Sequence, residues 1–273
     1  MAAGFRSFES SGPELGTDGL LFLTVKSAAL GQRADITLFV PRRSEGLCDV
    51  PIVILLHGVY GSHWAWALKG HAHRTAARLI DEGAIPPLVL AMPSDGLWGD
   101  GSGYVPHAEQ DFEGWVIDDV PAAVRLACVA CSGASPLCIA GLSMGGFAAL
   151  RIAGKHRQRV AAAAGHSSLT EASQLGALLA ESRAGWSTAP EDTGVLAALT
   201  QPGAALPALR FDCGVQDPQL EANRNLHAAL LAAGLSHEYA EHAGGHDWGY
   251  WRRHIEDTLR FFGGVLQTGT QRA

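Results

Sequence analysis

Short apolar runs alternate with longer amphipathic stretches along most of this chain. In runs such as 51–57 and 136–141 nearly every side chain is apolar or small, which is typical of parallel strands that are buried on both faces. Segments with apolar residues at helical spacing follow most of these runs, but none separates the first two. The pattern predicts a mostly parallel, doubly wound α/β sheet with an antiparallel edge. The eight predicted strands are 20–27, 34–40, 51–57, 88–92, 136–141, 160–165, 207–213 and 237–242.

The remaining segments predict helices, one long loop and a small insert. At 273 residues with 47% hydrophobic content, the chain is long enough to bury a large core as one domain, 1–273. We expect a core at about 20–263 and loose ends at 1–15 and 264–273. The insert at about 170–200 is short and charged, so it predicts a small cap over a fairly open site. Helices are predicted at 70–82, 113–131, 219–234 and 249–263, with another directly after residue 143.

The stretch Gly141-Leu142-Ser143-Met144-Gly145 has the G-x-S-x-G pattern of a nucleophile elbow. This motif places a serine on a sharp turn between a strand and a helix, and its glycines prevent collisions across the turn. The pattern alone is weak in a chain with 33 glycines. A buried strand before it and a helix rich in small residues after it give the motif its required context. The sequence therefore predicts Ser143 as a nucleophile.

A serine hydroxyl becomes a good nucleophile when a base takes its proton and an acid orients the base. In hydrolases built on such sheets, the acid and then the histidine follow the serine along the chain. Asp217 lies in a loop just past the predicted strand 207–213, where sites form in open parallel sheets. His246 lies in a Gly-Gly turn ahead of an amphipathic helix. The order Ser143, Asp217, His246 fits a catalytic triad.

Each partner has a rival in the sequence. Asp212 is an alternative acid, although it falls inside the pattern of a strand. Glu221 is another, although the first turn of a helix favours an acidic side chain for electrostatic reasons alone. His242 competes as the base, but its alternation with neighbouring residues indicates a strand position. We favour Asp217 and His246.

An oxyanion hole needs two N–H groups aimed at the developing negative charge. One is expected from Met144, directly after the nucleophile, and the other from the loop after the third strand. Gly58 would let that loop approach the substrate closely, which makes the Val59 amide the second predicted donor and Tyr60 the fallback. A plain turn between a strand and a helix would also account for the glycines in this loop.

Large aromatic side chains cluster in the segments expected to surround the elbow. Trp64 and Trp66 follow the oxyanion loop, and a glycine-rich loop at 95–104 follows the fourth strand, at the end where ligands bind. A merely packed surface loop would explain 95–104 about as well. Rings that converge on the elbow would leave a narrow acyl slot and favour short acyl chains. The predicted substrate contacts are Tyr60, Trp66, Trp98, Tyr104 and His166.

With these motifs the chain resembles the putative-esterase branch of the α/β-hydrolases. That branch includes esterase D (S-formylglutathione hydrolase), tributyrin esterases, feruloyl esterases and the antigen 85 mycolyltransferases. The resemblance implies an α/β-hydrolase fold of about eight strands, a Ser143–Asp217–His246 triad, and oxyanion donors at Val59 and Met144. The matching segments are His57-Gly58-Val59-Tyr60-Gly61 with Trp66, Met92-Pro93, Gly141 to Gly146, Asp212-Cys213-Gly214 with Asp217, and Gly245-His246-Asp247-Trp248 with Trp251.

The chain departs from esterase D in the loop after the third strand. Esterase D proper carries a Ser-Gly-Leu-Thr-Cys-like segment there, so glutathione thioester hydrolysis is not favoured for this chain. The amino terminus has no apolar core of a secretory signal, which argues against a mycolyltransferase role.

Composition excludes several other classes of function. The net charge of −7 with no basic run argues against nucleic acid as a partner, and no run approaches the roughly 18 apolar residues of a membrane span. Five scattered cysteines indicate reduced thiols and a cytoplasmic location. Cys128 and Cys131 stand at the end of a predicted helix, unlike a redox pair. His71 and His73, two residues apart on a helix, would face different directions, so we expect no metal and no cofactor.

The sequence therefore predicts a serine carboxylic ester hydrolase that acts on small or short-acyl esters. An acyltransferase or a thioesterase could use the same triad, and a binding protein on an inactive hydrolase scaffold is a further alternative. The expected partner is a small-molecule ester, with a homo-oligomer left open.

Overall fold

A nine-stranded sheet runs through the computed structural model, which describes residues 5–12 and 18–270. The strands are β1 (Phe8–Ser10), β2 (Leu20–Lys26), β3 (Arg33–Phe39), β4 (Ile52–Leu56), β5 (Val89–Pro93), β6 (Leu137–Leu142), β7 (Ala162–His166), β8 (Ala208–Gly214) and β9 (Glu238–His242). Their spatial order is β1-β2-β3-β5-β4-β6-β7-β8-β9.

The sheet is antiparallel on one side and parallel on the other. Strands β1, β2, β3 and β5 pair antiparallel, in that order. From β5 through β4 to β9 every pairing is parallel. Parallel neighbours need a crossover, and most crossovers here contain a helix, whereas β2 and β3 are joined by a short turn. The predicted antiparallel edge and doubly wound sheet are confirmed.

Helices cover both faces of the sheet. Alternate residues of β4 show this, because Ile52, Ile54 and Leu56 belong to one apolar core and Val53 and Leu55 to the other. The helices are α1 (Ala65–Leu68), α2 (Ala72–Asp81), α3 (Phe112–Gly114), α4 (Val120–Ala127), α5 (Met144–Lys155), α6 (Pro190–Thr193), α7 (Val195–Thr200), α8 (Leu220–Ala232) and α9 (Trp248–Thr270). A π-helical turn (Trp115–Asp119) joins α3 to α4, and 3₁₀ turns form at Arg42–Ser44 and Ala172–Ala177.

The two cores are built by different helices. Helix α5 is buried along Met144–Gly154 and packs in the core that also contains residues of α4. Helices α2 and α9 build the core on the opposite face. The serine-bearing elbow and the helix after the predicted catalytic histidine therefore belong to opposite layers of the molecule.

Several predicted boundaries are wrong. Residues 8–10, expected to be loose, form β1 against β2, so the sheet has nine strands rather than eight. Three residues are too few for a periodic pattern to reveal. Helix α9 continues to Thr270 because Leu266 extends its buried stripe. The helix predicted at 113–131 ends at Ala127. The remaining parts of the predicted loose ends, 1–4, 13–15 and 271–273, lie outside the described residues, as do 16 and 17.

Among residues 5–12 and 18–270, no helix combines the length and the apolar character needed to cross a membrane.

Candidate active site

Ser143 lies at the junction between β6 and α5, where the backbone turns sharply. Its φ of +53° and ψ of −117° are values that a residue with a side chain rarely adopts. A Cβ at Gly141 would lie 2.3 Å from the carbonyl carbon of Gly145, and one at Gly145 would lie 2.4 Å from the carbonyl oxygen of Leu56. Any side chain at either position would collide with backbone. The two glycines are therefore what allows this turn to form.

Ser143, His246 and Asp217 form a continuous hydrogen-bonded chain. His246 Nε2 lies 3.1 Å from Ser143 Oγ, and His246 Nδ1 lies 2.9 and 3.0 Å from the two carboxylate oxygens of Asp217. The Asp217 side chain is fully buried, whereas that of His246 is 28% exposed. The carboxylate fixes the ring so that Nδ1 donates to it and Nε2 faces the serine hydroxyl.

The Asp217 carboxylate is held in its ionised form. Burial acts to raise its pKa, but hydrogen bonds from His246, Ser167 and the Gln219 amide outweigh burial and lower the pKa below its usual value. The Gln219 N–H lies 2.8 Å from Oδ1. Asp217 is therefore negatively charged at neutral pH and can stabilise a positive charge on the imidazole.

A backbone contact brings the loops of Asp217 and His246 together. A Cβ at Gly214, the last residue of β8, would lie only 2.3 Å from the carbonyl oxygen of Gly244. The amide of Gln216 donates to that same carbonyl at 2.9 Å. Gly214 is therefore needed for the two loops to approach within hydrogen-bonding distance, a requirement the sequence analysis missed.

The rival residues occupy other environments. Asp212 accepts hydrogen bonds from His166 at 3.0 Å, from the Tyr250 hydroxyl at 2.8 Å and from Arg210, all within the core. The His242 ring stacks on His254 at 4.1 Å. Glu221 is exposed in the first turn of α8. Among the described residues, none of these three rivals is hydrogen-bonded to Ser143 or His246.

The loop after β4 lies directly against the serine. A Cβ at Gly58 would lie 3.3 Å from Ser143 Cβ and 2.8 Å from Leu142 Cδ1. The Tyr60 amide already donates to the Asp100 carbonyl at 2.8 Å, whereas the Val59 amide donates to no protein group in the described part of the chain. The Met144 amide is in the first turn of α5, where N–H groups have no intrahelical acceptor. Val59 and Met144 thus both have amides available beside Ser143.

Three predicted substrate contacts are wrong. Trp66 is 1% exposed, and Tyr104 and His166 are fully buried, so they present no surface to a ligand. The Trp66 indole donates to the Leu56 carbonyl at 2.9 Å, and Tyr104 packs against the His57 ring at 5.7 Å. His166 is held between Asp212 and Thr258, each 3.0 Å away. All three rings are therefore part of the packed interior rather than of an open cleft.

The other two predicted contacts reach the surface. The Tyr60 side chain is 67% exposed, and its hydroxyl donates to the carbonyl of Leu178. Trp98 is half-buried in an aromatic cluster with His107 at 4.8 Å and Trp186 at 5.9 Å. Both side chains could therefore reach a ligand, and their contact with a substrate stays a prediction.

Sequence reasoning also missed Ser167, which supports the His–Asp pair together with Trp251, a residue already named among the segments that match the family. Ser167 follows β7, hydrogen-bonds to Asp217 and accepts from the Trp251 indole at 3.2 Å. The Trp251 ring meets that of His246 edge-on at 5.0 Å. Ser167 has a φ of +48°, a strained value that no local sequence pattern signals.

The described residues contain one group of side chains spaced like metal ligands, and it does not include Ser143, Asp217 or His246. One atom each from His242, His254 and Asp257 lies within 4.8 Å of the others. The two imidazoles stack with 4.1 Å between their centroids and only 11° between their planes, so their lone pairs lie in separate, nearly parallel planes and cannot both point directly at one ion. His71 and His73 do not form such a group: His71 precedes α2 at a φ of +52°, and His73 is buried within it.

A serine on a strand–helix elbow, followed along the chain by an aspartate and then a histidine that bond to one another, defines an α/β-hydrolase on this sheet. Residues 27–262 match the model of the family described as "Putative esterase". The chain belongs to this family of carboxylic ester hydrolases, which confirms the resemblance and the enzyme class predicted from the sequence.

Individual relatives are distant in sequence. An acetyl esterase from Caldicellulosiruptor saccharolyticus is 24% identical over 236 residues, which cover 80% of this chain and 85% of the relative. The structure of a ferulic acid esterase superimposes with a TM-score of 0.77 at 21% identity, covering 95% of this chain and 99% of the other. An S-formylglutathione hydrolase from Agrobacterium tumefaciens gives 0.73 at 20% identity, covering 96% and 99%. These structures share the fold.

Proposed function

We propose that this protein is a serine esterase that hydrolyses small or short-acyl esters through a covalent acyl-enzyme. The observation that carries the proposal is the hydrogen-bonded chain from Ser143 through His246 to buried Asp217. In the first half-reaction Ser143 Oγ bonds to the ester carbonyl carbon while His246 Nε2 takes its proton. The tetrahedral intermediate then breaks its bond to the alcohol oxygen, and His246 returns the proton to the leaving alcohol.

Water completes the reaction by the same route. His246 removes a proton from water, whose oxygen attacks the acyl carbon, and the proton returns to Ser143 as the acid leaves. Asp217 stabilises the imidazolium in both halves. The amides of Val59 and Met144 hydrogen-bond to the negatively charged oxygen of both intermediates.

Labelling with a fluorophosphonate probe tests the mechanism directly. The native chain should incorporate one phosphonyl group, and Ser143→Ala should incorporate none. A native protein that folds but neither reacts with the probe nor hydrolyses p-nitrophenyl acetate would instead be a binding protein on an inactive scaffold.

The restricted setting of Ser143 supports a preference for short acyl groups. Only 2% of the surface of Ser143 is exposed. In addition, the carbonyl of Leu178 accepts a hydrogen bond from Tyr60, in the loop that lies against Ser143. Each buried methylene stabilises binding by about 0.8 kcal/mol, but one that does not fit must displace packed side chains. Along a p-nitrophenyl series from acetate to palmitate, we expect kcat/KM to fall sharply after the short esters. A maximum at twelve carbons or more would contradict this preference.

A thioesterase and an acyltransferase are the nearest alternatives. A thioester reacts with the same nucleophile, and the structural similarity to an S-formylglutathione hydrolase keeps this activity in the test panel. A panel of matched acyl esters and thioesters, assayed with and without an added alcohol, separates hydrolysis from transfer and oxygen from sulfur leaving groups.

A further inference from the structure

Residues 171–181, which we call the strap, connect two loops of the active site. One end of the strap contacts the loop of the triad acid. Gln174 Nε2 donates to Gln219 Oε1 at 2.9 Å, and the Gln219 amide donates to Asp217 at 2.8 Å. Gln174 Oε1 also accepts from the Glu171 amide at 2.8 Å, which fixes the start of the strap. This end is therefore tied to Asp217 through a single intervening residue.

The other end of the strap contacts the segment that faces the loop after β4. The Ala180 amide donates to Asp100 Oδ2 at 2.8 Å, and the Asp100 amide donates to Glu181 Oε2 at 3.1 Å. The Tyr60 hydroxyl donates to the Leu178 carbonyl. The Glu181 carboxylate lies over Gly99, where a Cβ would be 2.2 Å from its carboxyl carbon. The strap is thus joined to Asp100 by two hydrogen bonds, one to the carboxylate of Asp100 and one from its backbone amide.

Asp100 also holds the peptide that carries the proposed oxyanion donor. Its carbonyl accepts the Tyr60 amide at 2.8 Å, and Tyr60 has a left-handed φ of +59°. This bond fixes the residue directly after Val59. A Cβ at the neighbouring Gly101 would lie 3.3 Å from Val59 Cγ1. Three groups of Asp100, its carbonyl, its amide and its carboxylate, are therefore all engaged between the strap and the oxyanion loop.

We propose that Asp100 and Tyr60 are positioning residues that hold the Val59 amide in place by tying the oxyanion loop to the strap. The inference rests on the proposed function, because it assumes that Val59 stabilises an oxyanion. A donor aimed at a developing charge loses its effect when it moves, and a displacement of about 1 Å can cost about 100-fold in rate. The Asp100 carboxylate does not touch the reacting atoms and acts only through the loop.

The test compares four variants on p-nitrophenyl acetate. Asp100→Ala removes the acceptor for the Ala180 amide and should lower kcat about 10- to 100-fold with KM within about twofold. Asp100→Asn keeps an oxygen acceptor and should recover activity to within about threefold of the native value. Tyr60→Phe removes only the bond to Leu178 and should lower kcat less than Asp100→Ala. Glu109→Ala, an exposed acid on the long loop after β5, is the matched control and should not change kcat.

Hydrogen exchange supplies a readout that is specific to the loop. In Asp100→Ala the amides of a peptide covering residues 58–61 should exchange faster than in the native protein, while those of α5 stay protected. Equal kcat in Asp100→Ala and the native protein would overturn the inference. So would a loss of kcat that Asp100→Asn does not recover, or one accompanied by faster exchange throughout α5. Failure of the proposed function is distinguishable, because there the native protein itself would not react with the fluorophosphonate.

Discussion

In the described part of the chain, two histidine–aspartate pairs at the carboxyl end of the parallel sheet are each joined by a direct hydrogen bond, and they have nearly the same internal geometry. His246 Nδ1 is 2.9 Å from Asp217, and His166 Nδ1 is 3.0 Å from Asp212. In both, a carboxylate fixes an imidazole through Nδ1. The two pairs differ in what meets the second ring nitrogen. His246 Nε2 faces the Ser143 hydroxyl from a partly exposed ring, whereas His166 Nε2 faces Thr258 in a fully buried ring.

The surroundings of the two carboxylates differ as well. Asp212 is also bonded to Arg210 and Tyr250, so its charge is neutralised within the core. Within residues 5–12 and 18–270, Asp217 has no cation beside it except the one that would form on His246 in the proposed reaction. This difference favours the Asp217–His246 pair over the Asp212–His166 pair as the proposed base, because only the far nitrogen of His246 faces Ser143.

Replacing members of the two pairs should separate their roles, with the largest effect at the nucleophile and base. Ser143→Ala and His246→Ala should each lower kcat by about 10⁴ to 10⁶, because the triad acts as a unit. The double variant should be barely slower than either single one. His242→Ala is the matched control among nearby histidines. If that variant were inactive while His246→Ala retained its rate, the assignment of the base would be wrong.

Asp217→Ala should cost somewhat less, about 10⁴ in kcat, because the serine and the imidazole remain while the ring loses its orientation. The measurement is steady-state hydrolysis with the folded fraction checked by circular dichroism. If Asp212→Asn lowered kcat more than Asp217→Ala, Asp212 rather than Asp217 would be the acid of the triad.

Changes to the buried pair should appear in stability rather than in chemistry. Removing the His166 ring leaves the Asp212 charge less well paired, and breaking a buried pair typically costs about 3 to 5 kcal/mol in the free energy of unfolding. Urea unfolding of His166→Ala measures this loss. In the fraction that stays folded, kcat should remain far above that of His246→Ala, and a loss equal to that of His246→Ala would give His166 a direct part in the chemistry.

The buried pair should also make the protein sensitive to acid. Burial acts to raise the pKa of Asp212, but the charges and hydrogen bonds of His166 and Arg210 lower it well below the usual carboxyl value. A carboxyl whose folded pKa is lowered contributes stability that is present above its unfolded pKa of about 3.9 and is lost as the pH falls through the folded value. Unfolding free energies between pH 7 and pH 3 should therefore fall less steeply in Asp212→Asn. If the unfolding free energy fell equally steeply with pH in the native protein and in Asp212→Asn, the Asp212 carboxylate would not be the source of this acid sensitivity.

The smallest expected effect is that of chelation. The proposed chemistry uses only protein groups, so prolonged treatment with EDTA should leave kcat/KM unchanged. A loss that added zinc restores would require a metal in the reaction and would draw attention to His242, His254 and Asp257.

Features set by backbone sterics were predictable from the chain. The spacing of Gly141, Ser143 and Gly145 predicts a sharp turn between a strand and a helix. The apolar run at 136–141 places that turn at the end of a buried strand. The aromatic residues were not predictable in the same way. Trp66 and Tyr104 stand in the expected segments, but spacing does not tell whether a ring points into a cleft or into the core. Here both fill the core, because burying a large ring stabilises the fold, and the Trp66 indole N–H also finds an acceptor there.

Contacts between distant loops left no trace in the sequence. Asp100 stands in a glycine-rich loop that looks like surface, and the contacts behind its proposed role come from segments about 40 and 80 residues away. The same holds for Gly214, whose missing side chain matters because another loop returns to it. A single sequence gives the local conformations, but which loops meet depends on how all the strands assemble.

The hydrogen bond between Ser143 and His246 spans 103 positions of the chain, and the helices that follow these two residues, α5 and α9, pack on opposite faces of the sheet. During synthesis on a ribosome, the elbow and its helix emerge long before β9 and α9. A nascent chain therefore carries Ser143 before His246 has been made. We expect esterase activity to appear only after β9 has paired with β8 and positioned the loop of His246, so its appearance during translation would report when the last parallel strand has docked.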